Sequence, residues 1–86
     1  MTGREISWCS AMLDALLLAW PTALNLDALR TASDYPHSNT SMVALIRVLV
    51  AQGFTTEELD RATLALRVRA SEKLLVLMSL LHRRHG

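Results

Sequence analysis

Two stretches of this chain carry residues with the chemistry to meet a polyanion. The first is SNTSMVALIR, residues 38–47. It opens with Ser38, Asn39, Thr40 and Ser41, and small polar side chains at a helix N-terminus donate to phosphate oxygens. On a helix, Met42, Leu45, Ile46 and Leu49 share one face at the spacing of a core stripe. The opposite face presents Thr40, Val43, Ala44 and Arg47. An arginine fork fits the guanine edge, and small or apolar groups meet thymine methyls. The second stretch is RVRA, where Arg67 and Arg69 stand two apart. In a strand both leave the same face, suited to backbone phosphates. Each set also has a purely structural reading, as the solvent face of an amphipathic helix or a half-exposed strand.

Other chemistries find little support. His82 and His85 lie three apart, and with Cys9 or His37 they lack metal-ligand spacing, so no metal is expected. Cys9 beside Trp8 reads as a buried structural thiol, not a nucleophile. The single cysteine rules out an internal disulfide. No Ser/His/Asp set, glycine-rich phosphate loop or carboxylate pair stands out, so neither an enzyme nor a cofactor is expected.

The elements that would position these residues follow from periodicity. Ile6 to Trp20 repeats apolar residues at spacings of three and four, which predicts a helix capped at Ser7 or Ser10 and ended by Pro21. Residues 1–5 are expected to be loose. Asn25 is an N-cap for LDALRTAS, with Asp27 suited to the first turn. Leu26, Leu29 and Ala32 would form its inner face. DYPHS is turn material, a third helix runs from residues 38–41 to about Gln52, and Gly53 stops it. In TLALRVRA the period changes to two, which predicts a strand. FTTEEL is either its hairpin partner, turning at Asp60-Arg61, or a helix opened by a Thr55/Glu58 capping box. A last helix opens at Ser71 and runs to about residue 84, with Leu74, Leu75, Met78 and Leu81 on one face and HRRH at its end.

At 86 residues the chain is expected to be one domain. Its hydrophobic fraction of 51% exceeds what so small an interior hides, which points to a second copy. Trp8, Leu74, Leu77, Met78 and Leu81 are the expected dimer contacts. AMLDALLLAW is interrupted by Asp14 and is too short to span a bilayer, so the expectation is a cytoplasmic protein without membrane contact. Eight of nine basic residues are arginine, a bias common in GC-rich bacterial genomes. Residues 1–60 hold three basic against seven acidic residues, a balance of −4, and residues 61–86 hold six against one, a balance of +5. The basic half can meet phosphate, an acidic partner or the chain's own front half.

MLDALLLAWPTALNLDALRTASDYPHSNTSMVALIRVLVAQGF resembles the winged helix-turn-helix domain of bacterial transcription regulators. Leu24, Leu26, Asp27, Leu29, Ala32 and Pro36 match its first helix and turn; Leu45, Leu49, Val50, Gly53 and Phe54 match its recognition helix. RVRASEKLLVLMSLL resembles its final wing strand and C-terminal helix, so the likeness covers roughly residues 11–81. It implies an α+β fold in the order helix, helix, helix, hairpin, helix, with the helix-turn-helix at about 25–53 and the wing at about 54–70. An all-α bundle is the alternative. Three departures stand out. Asp34 replaces the usual turn glycine, the turn is about two residues longer, and the recognition helix holds few base-reading side chains. Two functions follow. One is a dimeric regulator that binds double-stranded DNA with its third helix in the major groove. The other is an interaction module, a small adaptor or secretion-type chaperone, that holds a partner protein's helix.

Overall fold

The computed structural model describes the backbone of residues 2–85 and the side chains of residues 2–81. Its elements are α1 (Gly3–Ala19), β1 (Leu24–Asn25), α2 (Leu26–Ser33), α3 (Asn39–Ala51), β2 (Thr55–Leu59), β3 (Leu66–Ala70) and α4 (Glu72–His85). The three strands form one antiparallel sheet in the order β1-β3-β2. The chain is therefore α+β, mainly helical, and the sheet removes the all-α alternative.

Each helix begins where a side chain caps it. Asn25 accepts from the Ala28 N–H (2.8 Å) and Ser38 from the Ser41 N–H (3.3 Å). Ser71 accepts from the Leu74 N–H (3.2 Å). The expected start of α1 was misplaced. Thr2 accepts from the Glu5 N–H (3.3 Å), so the helix opens at Gly3 and takes in residues expected to be loose.

Two helices end through left-handed residues. Gly53 (φ 81°) closes α3, with the Phe54 N–H donating back to the Leu49 carbonyl at 3.0 Å. Asp34 (φ 56°) does the same for α2, with the Tyr35 N–H reaching the Arg30 carbonyl at 3.3 Å. A side chain in this region costs roughly 1 kcal/mol, and Asp bears it better than most.

Residues 55–59 form a strand, which settles the choice between hairpin and helix there. The turn is longer than Asp60-Arg61. Asp60 Oδ1 accepts from the Ala62 and Thr63 amides (2.9 and 3.3 Å), and the Asp60 N–H donates to the Ala65 carbonyl (2.9 Å). Leu64 (φ 58°) takes the left-handed position, exposed and outside the strand, so the apolar alternation begins only at Leu66.

The core lies between α1–α3 and the inner face of the sheet. Met12, Leu16, Leu29, Met42, Ile46 and Val68 are fully enclosed. Ala32, expected on the inner face of α2, is exposed. Among the described residues no helix is long and apolar enough to cross a membrane.

Candidate nucleic-acid interface

The Ser38 cap and the buried stripe of α3 fix which way its outer face points. Met42, Leu45, Ile46 and Leu49 are buried as the spacing predicted. Asn39, Thr40, Val43, Ala44 and Arg47 line one shallow open groove of about 410 Å³. The Ser38 and Ser41 side chains, both exposed, hydrogen-bond each other at 3.2 Å.

Arg30 was not among the expected site residues, yet it builds the entry to this helix. Its guanidinium donates to the carbonyls of Tyr35 (3.0 Å) and His37 and to Asn39 Oδ1. One side chain of α2 thus fixes the turn and the first residue of α3. Tyr35 and His37 pack edge-on against Trp8 of α1, with ring centroids 4.9 and 5.4 Å away. That places Trp8 against its own chain's turn, half-buried and packed on the core.

Arg67 and Arg69 occupy β3 as expected, on the sheet face opposite Val68 and Ala70, which are buried. Arg47 approaches from α3, packed on the inner side. The three arginines therefore do not converge on one face of the hairpin. Each meets a carboxylate. Arg47 lies 3.8 Å from Glu57, Arg67 lies 3.0 Å from Asp60, and Arg69 pairs with Glu58. The register explains the last, because Glu58 stands diagonal to Arg69. Arg61, at the hairpin tip, is exposed and makes no ion pair among the described residues. It too was missed, hidden inside what read as a two-residue turn.

The expected dimer residues divide. Leu74 is buried and Met78 packs on the core, so both are committed to their own chain. Leu77 and Leu81 are exposed, together with Val76 and Leu80. A second apolar groove, of about 370 Å³, runs between α1 and α3 past Ile6, Cys9, Leu13, Val48 and Phe54. Burial, and secondarily the Glu5 charge, push the Cys9 thiol pKa up. No group of three or more metal-ligating side chains occurs among the described residues, and the His82 and His85 side chains lie outside them.

No family model, no curated protein and no solved structure matches this chain.

Proposed function

We propose that this chain is a winged helix-turn-helix module that binds double-stranded DNA as a dimer, with α3 in the major groove and the β2–β3 hairpin as the wing. The observation that carries the reading is the outer face of α3. It is a capped helix of small and polar side chains, open along its length and flanked by a hairpin that bears arginines. The exposed Val76, Leu77, Leu80 and Leu81 of α4 are the proposed dimer face.

Fluorescence anisotropy with mixed-sequence duplex DNA at low and moderate salt tests it. The expected result is a Kd of about 1–100 µM that weakens steeply with salt. Arg67→Ala with Arg69→Ala should weaken binding and flatten the salt dependence while the fold persists. An unchanged affinity in that pair would remove the wing from the interface.

A specific observation favours a second reading. Every arginine expected to meet phosphate is paired with a carboxylate, while apolar surface stays open on α4 and between α1 and α3. Such a surface suits a partner protein's helix. Absence of DNA binding at low salt favours this alternative.

A further inference from the structure

Resting on the DNA-binding reading, we propose that the end of β2 and the first residue of its turn form an internal phosphate mimic: Glu57, Glu58 and Asp60 hold Arg47, Arg67 and Arg69, and the wing grips DNA only by exchanging carboxylates for phosphates. Three ion pairs carry this. Within residues 57–60, every residue but Leu59 is acidic, and each acid engages a different arginine. The strand period makes the arrangement two-sided. Glu58 serves the outer face of the sheet, where Arg67 and Arg69 stand. Glu57 leaves by the other face and reaches Arg47 on α3. One short acidic segment, residues 57–60, thus occupies both the helix-borne cation and the wing cations.

The pairs are held loosely enough to exchange. The Arg47, Arg67 and Arg69 side chains are 71%, 47% and 38% exposed, so water and ions reach all three. A phosphate approaching any of them meets a carboxylate already in place. Binding must then separate that pair and accept the carboxylate's repulsion. Arg61 at the hairpin tip and the Asn39, Thr40, Val43 and Ala44 part of the α3 face carry no such guard, so first contact falls to them and the three arginines join afterwards.

The test compares two triple variants with the wild-type chain. Glu57→Gln, Glu58→Gln and Asp60→Asn remove the guard, and the Asn keeps the oxygen that caps the turn. Asp14→Asn, Asp27→Asn and Asp34→Asn remove three exposed carboxylates that pair with no arginine among the described residues. Both variants raise the net charge from +1 by three, to +4. General attraction to DNA is therefore matched between them. Circular dichroism checks both folds, and anisotropy with mixed-sequence duplex DNA across a salt series reads affinity.

Exposed ion pairs shift an equilibrium about 1.5- to 5-fold each, so releasing three strengthens binding about 3- to 125-fold beyond the control. Equal gains in the two variants, with wild-type binding present, overturn the mimic and leave the DNA reading standing. Absence of binding by all three chains overturns both. Should the triple variant unfold, Glu58→Gln alone frees Arg69 and should gain about 1.5- to 5-fold over Asp14→Asn. No difference between those two single variants overturns the proposal.

Discussion

Thr55 begins β2 with its side chain on the inner face, 2% exposed, and its hydroxyl reaches no hydrogen-bond partner among the described residues. A buried hydroxyl left without a partner costs about 1–3 kcal/mol in lost hydration. Valine has nearly the same shape and the same preference for a strand, so Thr55→Val removes that cost and opens no cavity. The added methyl, exposed in the unfolded chain and buried in the fold, acts in the same direction. We expect a net stabilisation of about 1 kcal/mol, which for a chain of this length raises Tm by about 4–8 °C. Urea unfolding followed by circular dichroism gives the free energy, and a constant m-value shows that only stability has changed. Thr55→Ser is the counterpart: it keeps the unpartnered hydroxyl and deletes the packed methyl, for a loss of about 1 kcal/mol. A Thr55→Val chain less stable than wild type would refute the reasoning, because the hydroxyl would then have to be held by a bond.

Arg30→Met keeps the side-chain stem but removes the donors to Tyr35, His37 and Asn39, and should cost about 1–2 kcal/mol in urea unfolding, since charge-assisted bonds are the stronger ones. Backbone donation from Ala62 and Thr63, with Arg67 nearby, holds the Asp60 carboxyl below its ordinary value of 3.8. A lowered folded-state pKa means a contribution fully present above that ordinary value and lost as pH falls below it, so wild type should lose stability there faster than Asp60→Asn in acid titrations. Cys9 is 7% exposed with a raised pKa, so its thiol should react with a disulfide reagent at pH 8 ~tenfold or more slowly than in denaturant; equal rates would contradict its burial.

Much of this architecture is written in local signals. The i, i+3, i+4, i+7 stripe of α3 and the caps at Asn25 and Ser71 depend on neighbours within one turn, and each sits where its residue type predicts; the α3 cap is Ser38, the first of the four residues 38–41 that could serve. The features that escaped depend on distant partners. β1 is two residues long and exists because Leu24 and Asn25 pair with Val68 and Arg67, forty-odd positions away. Nothing in LN alone marks a strand. Trp8 reads as surplus apolar surface until the fold brings Tyr35 and His37 to its ring. The α1 start is a different kind of miss. Thr2 and Glu5 stand at capping-box spacing, so the signal was present but lay in residues set aside as a loose end. At the site, the outer face of α3 was legible from periodicity, but the ion pairs were not. They require the hairpin register, which a six-residue turn without glycine leaves unmarked.

The position of β2 has one more consequence. It ends the sheet, bonded to β3 along one edge and, among the described residues, to no strand along the other. Such an edge is an open template, and a second copy of TTEEL is the strand best matched in length to join it. Two copies laid antiparallel would bring the Glu57 and Glu58 carboxylates of both chains together across a narrow seam, where like charges oppose pairing. The same acids would therefore oppose the joining of copies of this chain sheet to sheet in a crowded solution. A variant stripped of them to hold DNA more tightly would give up that protection, and its solubility would set how concentrated it could be kept.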